Sequence, residues 1–421
     1  MRNGKMNAQS RPAPPRYLPA LLVVALVGTI IEIDMSVPSF PDIGRTFDVS
    51  GAVVQLTITL NFLGYCLGAL VYGPISDRFG RRRVILAGNT IMLLGALGCA
   101  VAPTIDFLLA ARFLQGIGAA ASVVLVFVII SDVYPEARAM ALFGVTNAAM
   151  SIMMTVAPPL GGFINLTIGW RGNYAVVFAI TALSLLLMFL FLPESKHDTV
   201  GRLGLRDVLG GYRRLLGSWL FVVTSLVPSL LFASYMVFIA SSSFLYTSAF
   251  GLSTPWFAAH LLVIVASFAI PSMFATKLIP VLGGPETTIR VSIGCALGGV
   301  VLFLLLGHGP VSTTVSIALF CVGFAVCYPV VFGRSMEVIP ELGGAASSLT
   351  MSSRALLVTL LTGISSALFT GSPVVPASVM LGAVLIAAPL ALAGRKLLDA
   401  HHANVPSSEA DLASGNSEKG E

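Results

Sequence analysis

Two acids and one arginine stand inside otherwise apolar stretches of the sequence. Glu32 and Asp34 belong to the first apolar stretch, and Arg112 belongs to the fourth. A charge deep in a hydrocarbon layer is costly, so such residues usually face a water-filled cavity and take part in function. Burial favours the neutral form of an acid and a nearby arginine favours its charged form, so a change in either can load or release a proton. The three residues therefore predict a proton-carrying site.

The two acids point to different faces of their helix, because consecutive helical residues are about 100° apart. Arg112 and Asp34 lie at similar depths from the same side of the membrane, which predicts that these two form the proton site. Glu32 is the alternative carrier. Two further interpretations stay open: the first span could end at Pro38 and leave both acids near the outer water layer, or Arg112 could only hold backbone carbonyls.

The elements that position these residues are membrane helices. The chain has 421 residues, of which 56% are hydrophobic and 10% charged, with a mean hydropathy of +0.92, too apolar for a soluble globule. Apolar runs of about 20 residues are long enough to cross a bilayer. They predict twelve spans, near 17–40, 53–75, 84–105, 107–131, 139–164, 172–192, 216–243, 254–276, 288–307, 311–333, 342–370 and 374–394.

The basic residues predict how these spans are oriented. Of the 24 Lys and Arg, 20 fall in the two tails and in alternate loops, against two on the opposite side and two within spans. By the positive-inside rule, both termini are expected in the cytoplasm. The predicted regions are an N-terminal tail (1–16), a first half (17–192), a cytoplasmic linker (193–215), a second half (216–394) and a disordered cytoplasmic tail (395–421).

Composition also argues against several classes of protein. The net charge of +5 is spread over loops and tails instead of one face, so no nucleic-acid partner is expected. All five cysteines lie in apolar segments, which predicts neither a disulfide framework nor a metal site. No nucleotide-binding loop and no catalytic constellation is present, so we expect neither a cofactor nor an enzyme.

The segment from Gly73 to Val84 carries five charges between two uncharged spans, and we expect a tight cytoplasmic loop there. Its spacing resembles the loop between helices two and three of major facilitator superfamily transporters. The matching residues are Gly73, Asp77, Arg78, Gly80 and Arg81.

Two other segments resemble a branch of that superfamily, the drug:proton antiporters that confer bicyclomycin and chloramphenicol resistance. The first is Ile33 to Pro38, which resembles an Asp-Met-Tyr-Leu-Pro run; Asp34, Met35 and Pro38 match, whereas Ser36 and Val37 depart. This resemblance favours Asp34 as the functional acid. The segment from Arg112 to Gly118 also resembles the helix-four signature of the superfamily, whose arginine is implicated in proton coupling.

The second segment resembles an antiporter motif in helix five, Gly-Pro-x-x-Gly-Gly. Proline kinks and glycines let helices approach closely. Ala157 replaces the first glycine and Met153 stands where another glycine is usual. The residues that carry the resemblance are Pro158, Pro159, Gly161 and Gly162.

The resemblance implies an all-α membrane protein of twelve transmembrane helices in two pseudo-symmetric six-helix halves. It implies proton-coupled efflux of drugs or other small molecules by alternating access, in the inner membrane of a bacterium, by a monomer whose partners are its substrate, protons and the bilayer. The alternatives are an exporter of a metabolite or siderophore, an importer, or a membrane receptor that has lost transport. Intramembrane charge argues against the receptor.

The resemblance also implies that span two lies beside span eleven, so that Asp77 contacts the N-terminus of span eleven near Leu342. A helix N-terminus favours a carboxylate. We expect this contact, with Arg78 and Arg81, to latch the outward-open state.

Arg354 lies near the middle of span eleven, where the drug-exporter branch commonly has an uncharged polar residue. It could meet a substrate oxygen, pair with Glu32 or Asp34, or bond helix-end carbonyls. The first would favour substrates with a carboxylate, nitro or phenolate group. Other candidates for the pocket wall are polar or aromatic residues within spans, namely Asn61, Tyr65, Gln115, Asn147, Tyr235, Phe238, Phe244 and Tyr328.

Overall fold

The computed structural model describes residues 14–195, 205–337 and 343–404, which form α-helices joined by short turns. The first group of helices is α1 (Leu18–Ser36), α2 (Phe40–Phe47), α3 (Gly51–Phe79), α4 (Arg81–Ala100), α5 (Ile105–Val133), α6 (Glu136–Ile168) and α7 (Trp170–Phe191). The helix α8 (Leu205–Gly217) follows in the linker. The second group is α9 (Trp219–Phe244), α10 (Thr254–Met273), α11 (Ala275–Val281), α12 (Pro285–Leu306), α13 (Pro310–Glu337), α14 (Gly343–Ala367) and α15 (Val374–Asn404).

Within the described residues, 11 helical segments are long and apolar enough to cross a membrane. The helix α14 is not among them although it has 25 residues, because it carries Arg354 and many Ser and Thr. It packs between α3 and α9, where polar side chains avoid lipid. Counting α14, the described chain has two groups of six long helical segments, which confirms the predicted all-α, two-half fold.

The limits of the predicted regions stay predictions, with one difference. The tail predicted from residue 395 is helical as far as Asn404, because α15 continues without a break. Residues 1–13 and 405–421 of the two predicted tails lie outside the described residues, as does Leu342, near which the latch contact was expected.

The first span does not end at Pro38. A single turn of 3-10 helix, Val37–Ser39, joins α1 to α2, and the span continues to Phe47. Proline is tolerated in the first turn of a helix, where no N–H donor is needed. Glu32 and Asp34 are each only 2% exposed, so the interpretation that places both acids near the outer water layer is wrong.

The predicted loop between Gly73 and Val84 is also wrong as a loop. The helix α3 runs through Phe79 and α4 begins at Arg81, so only Gly80 is outside a helix. Gly80 has φ of +96°, a backbone conformation that side-chain-bearing residues rarely adopt. The motif thus consists of two helix ends joined at one glycine, and we call this side of the bundle the Gly80 end.

The opposite side of the bundle is the Gly169 end, where α6 and α7 meet at Gly169. The two halves touch mainly where α3 packs on α14 and where α6 packs on α10. Thr59 of α3 and Thr362 of α14 are joined by a hydroxyl hydrogen bond of 2.9 Å, and the Ser366 hydroxyl of α14 donates to the Ala52 carbonyl of α3 at 2.5 Å. These contacts tie the halves together from the middle of the membrane to the Gly169 end.

The linker predicted at 193–215 contains α8, which lies against both halves at the Gly80 end. The Tyr212 hydroxyl donates to the Leu70 carbonyl of α3 at 3.2 Å. Leu215 joins a small apolar cluster with Phe221 and Leu349 of the second half. The linker is therefore partly a packed helix.

Candidate functional site

Glu32 and Arg112 form an ion pair inside the first half. Arg112 is completely buried, and its Nη1 lies 3.4 Å from Glu32 Oε2 and 2.8 Å from Gln115 Oε1. Asn61 donates to Glu32 Oε1 and to the Arg112 carbonyl, both at 3.3 Å. Burial of two charges without loss of stability requires such extra hydrogen bonds. Asn61 and Gln115, predicted to line the pocket, here support this pair.

The predicted pairing of Arg112 with Asp34 is therefore wrong. Asp34 and Glu32 are two residues apart on α1, about 200° around the helix axis, so they face different neighbours. The interpretation that Arg112 only holds backbone carbonyls is wrong as well, since its guanidinium contacts a carboxylate.

Asp34 faces the second half. Its Oδ1 is buried and has no hydrogen-bond partner among the described residues, and the carboxyl interacts electrostatically with Tyr235 of α9. The Tyr235 hydroxyl is also buried without a hydrogen-bond partner in the described chain. Buried polar groups are normally paired, so an unpaired acid and hydroxyl between the two halves need an explanation.

The helix α6 brings the predicted antiporter motif to this place. A Cβ at Gly161 would collide with the Met35 carbonyl of α1, and a Cβ at Gly162 would stand 3.1 Å from the Ala258 side chain of α10. Small residues allow such close approach between membrane helices. Pro158 and Pro159 lie one turn before, inside the same helix. The motif therefore packs between the residue after Asp34 and the second half.

At the Gly80 end, Arg81 contacts three acidic side chains. Its Nη1 lies 2.7 Å from Asp77 Oδ1 and its Nε lies 2.9 Å from Asp132 Oδ2, while its backbone N–H donates to Glu194 at 2.9 Å. Asp77 is thus bonded to its own motif in this structure. Gly73 faces α14, since a Cβ there would lie 3.0 Å from the Ser348 hydroxyl.

Arg354, the second arginine predicted within a span, forms no salt bridge with an acid of the described residues. Its Nη1 donates to the Tyr328 hydroxyl at 2.9 Å, and its guanidinium carbon stands 4.5 Å from the centre of the Phe232 ring. The expectation that it pairs with Glu32 or Asp34 is wrong for this structure, because the salt bridges of the described residues do not include Arg354. Its hydrogen bond goes to a side chain and not to a helix-end carbonyl.

The remaining predicted pocket residues lie in different parts of the bundle. Tyr65 and Tyr328 lie at the junction of the halves near Arg354, and Asn147 is exposed on α6. Phe238 is fully buried against Phe303 within the second half, so it is a core residue and not part of a cavity wall. Phe244 packs against Phe40 and Phe369 near the Gly169 end, away from the middle of the bundle.

Sequence reasoning missed three residues that the structure brings into these sites: Asp132 and Glu194, which bind Arg81, and Phe232, which stacks on Arg354. Both acids end an apolar span on the same side as the basic motif, a signal that could have paired them with it. Phe232 has no such signal, because one Phe of a buried helix looks like any other.

A two-half helical bundle with buried charge near its centre is typical of secondary transporters. The family model of the Major Facilitator Superfamily matches residues 22–362. The chain belongs to this superfamily, which confirms the resemblance seen in the sequence.

Some relatives are named for drug resistance, as the predicted branch of the superfamily is. The chain is 29% identical over 332 residues to a bicyclomycin resistance protein homolog of Haemophilus influenzae, covering 76% of this chain and 82% of the relative. It is 26% identical over 276 residues to a chloramphenicol resistance protein of Pseudomonas aeruginosa, covering 65% of each. Among solved structures, a D-xylose-proton symporter superposes with a TM-score of 0.70 at 18% identity, covering 88% of this chain and 96% of that one. The last likeness concerns the fold alone.

Proposed function

We propose that the protein exports drugs or other small, mostly apolar molecules in exchange for protons, by alternating access between its two halves. The observation that carries this proposal is the position of Asp34, a buried and unpaired acid at the junction of the halves. The names of the relatives, which refer to bicyclomycin and chloramphenicol resistance, support efflux as the direction of transport.

The two acids have different roles in this mechanism. Glu32 is bonded to Arg112, Asn61 and the interior of the first half, so rocking of the halves leaves its surroundings unchanged. Asp34 faces α9, so the same movement changes its access to water and its distance from Tyr235. An unpaired carboxyl carries charge at a high cost in a dry site and at a low cost in water. Asp34 therefore takes up a proton from one side and releases it on the other.

The remaining residues of the site support this cycle. Gly161 and Gly162 provide a smooth contact on which α6 moves against α1 and α10. The Arg81 cluster holds the ends of α3, α4 and α5 together, and its Asp77 latches the cytoplasmic side against α14 when the transporter faces outward. We place the Gly80 end and both termini in the cytoplasm and the protein in the inner membrane of a bacterium. It acts as a monomer, with no covalent step and no nucleic-acid partner.

Two assays test the proposal. Cells with and without the protein are challenged with a panel of antibiotics and dyes, and the purified protein is reconstituted in liposomes with an imposed pH gradient. We expect lower sensitivity to at least one compound, and movement of that compound against its gradient only while the pH gradient lasts. Uphill movement that persists after the pH gradient is collapsed would contradict proton coupling. Uptake instead of efflux would favour the importer.

A further inference from the structure

Arg354 lies near the middle of α14 and is held by aromatic groups. Its guanidinium stands over the face of the Phe232 ring at 4.5 Å and donates to the hydroxyl of Tyr328 at 2.9 Å, and it also interacts with the hydroxyl of Tyr65. The residue is half-buried, and no acid of the described chain forms a salt bridge with it. A guanidinium has five N–H donors. Its charge is therefore not neutralised by an acid of the described chain, and donors remain that a ligand could use.

Two aromatic residues of the first half, Phe62 and Tyr65, lie near Arg354 and Phe232. The Tyr65 hydroxyl of α3 is buried and lies close enough to Arg354 for its oxygen to accept a weak hydrogen bond from the guanidinium, while its own O–H has no acceptor of good geometry within the described residues. One turn away, Phe62 stands 6.1 Å from Phe232 in an edge-to-face arrangement. A buried O–H without an acceptor is unfavourable, and a ligand oxygen would supply the acceptor.

Aromatic rings continue around Arg354 on the side of the second half. Phe324 lies 5.8 Å from Tyr328 and 6.3 Å from Phe232, and Phe332 stacks on Tyr328 at 5.5 Å with only 9° between the planes. Together, Phe62, Tyr65, Phe232, Phe324, Tyr328 and Arg354 form what we call the Arg354 chamber. It combines aromatic side chains with one cation and a buried tyrosine O–H that has no acceptor among the described residues.

We propose that the Arg354 chamber selects flat aromatic compounds that carry a carboxylate, nitro or phenolate group. The fork of the guanidinium matches two oxygens on one group, and the Tyr65 hydroxyl can donate to the same oxygens. The rings stack on the aromatic body of the ligand. A cationic compound of the same shape meets an uncompensated positive charge and is disfavoured. The inference rests on the proposed function, because it names the class of substrate that the transporter carries.

Three probes of one shape and different charge test this proposal: 2-naphthoate, 2-naphthamide and N,N,N-trimethyl-2-naphthylammonium. Their dissociation constants are measured by equilibrium binding to the purified full chain in lipid nanodiscs. We expect the wild-type protein to bind the naphthoate tightest and the ammonium weakest. Arg354→Gln should weaken naphthoate binding by about tenfold, equivalent to about 1.4 kcal/mol, with less than about a twofold change for the amide. Arg354→Lys, which keeps the charge but not the fork, should lie between.

Control variants separate this effect from a general disturbance. Arg45, whose side chain is 79% exposed, gives the matched variant Arg45→Gln, which should change none of the three constants. Tyr65→Phe and Tyr328→Phe carry the test if Arg354→Gln does not fold: the first should weaken only naphthoate binding, by about threefold, because it removes one donor. Both variants are checked for monodispersity before use.

The results that overturn the proposal are distinct from those that overturn proton-coupled export. Wild-type preference for the ammonium, an equal loss of all three probes in Arg354→Gln, or no loss at all removes the Arg354 chamber from substrate selection. Export driven by the pH gradient would survive any of these. Conversely, selective naphthoate binding without export driven by a pH gradient would keep the chamber and refute the proposed function.

Discussion

The buried ion pair of Glu32 and Arg112 should contribute measurably to the stability of the first half. Removing one member of a buried ion pair typically costs about 3–5 kcal/mol, because the other charge is left uncompensated. Here the pair is 3.4 Å apart, longer than the about 2.7–2.9 Å of a strong charge-assisted bond. Arg112 also has a second partner, Gln115 at 2.8 Å, which the change of Glu32 does not remove. We therefore expect Glu32→Gln to lower the free energy of unfolding by about 2–3 kcal/mol, at or below the lower end of the usual range.

A double-mutant cycle shows which acid Arg112 serves. The variants are Glu32→Gln, Asp34→Asn, Arg112→Gln and the two double variants that include Arg112→Gln. Residues in contact show coupling energies of about 0.5–3 kcal/mol, whereas independent sites add within about 0.5 kcal/mol. We expect the coupling of Arg112 to Glu32 to lie in the first range and its coupling to Asp34 to lie within the second.

The assay for this cycle is reversible unfolding in mixed micelles of a mild detergent and dodecyl sulfate, followed by the fluorescence of the three tryptophans. A coupling of Arg112 to Asp34 that exceeds its coupling to Glu32 would refute the assignment of the ion pair. It would also bring back the pairing predicted from the sequence.

Two further predictions concern the helix contacts and the Gly80 end. Gly161→Ala should lower the free energy of unfolding by about 1–3 kcal/mol, because the new methyl group collides with a main-chain oxygen of α1. Gly144→Ala, on the same helix with open space around it, should instead be neutral or stabilising, and equal losses at both glycines in detergent unfolding would contradict this packing. Asp77→Asn removes the negative charge from the 2.7 Å contact with Arg81 and should slow transport by up to about tenfold, equivalent to about 1.4 kcal/mol. It should also raise the labelling of cysteines introduced at the Gly80 end of a variant without the five native cysteines. Asp106→Asn, an exposed acid at the other end of the bundle, is its control, and an unchanged rate and unchanged labelling in Asp77→Asn would contradict the latch.

Much of the fold could be predicted because the bilayer imposes a simple rule on the sequence. Apolar runs of sufficient length mark the helices, and the span predicted at 342–370 includes the polar α14. The ends of helices were harder. The charges of Asp77 and Arg78 suggested a loop, but α3 continues through both residues. The chain needs only one residue outside the helices to turn, and Gly80 provides it.

The partners of the buried charges could not be read from depth alone. Glu32 and Asp34 lie within one turn of α1, so either acid could be the partner of Arg112 on α5. The sequence does not say which face of α1 meets α5. That face depends on helix packing: α6 nearly touches the α1 backbone where Gly161 meets Met35, and α5 nearly touches α3 where Gly116 meets Asn61. Such contacts join residues far apart in the chain. A single sequence contains the glycines but not their neighbours.

The aromatic candidates show the same limit. Tyr65 and Tyr328 were expected near a substrate and do lie close to Arg354, whereas Phe238 is enclosed by the second half. All three are aromatic residues inside apolar spans. Only the rotation of each helix about its axis separates a cavity wall from the core, and packing decides that rotation.

In the proposed cycle, Asp34 carries the exchanged proton while Glu32 only supports the first half. The decisive experiment measures proton release with a pH-sensitive dye when the best exported compound of the drug panel binds to the purified protein. We predict that the wild-type protein and Glu32→Gln release protons on binding, and that Asp34→Asn releases none while it still binds the compound. Undiminished release from Asp34→Asn, with release lost in Glu32→Gln, would contradict the claim and transfer the proton to Glu32.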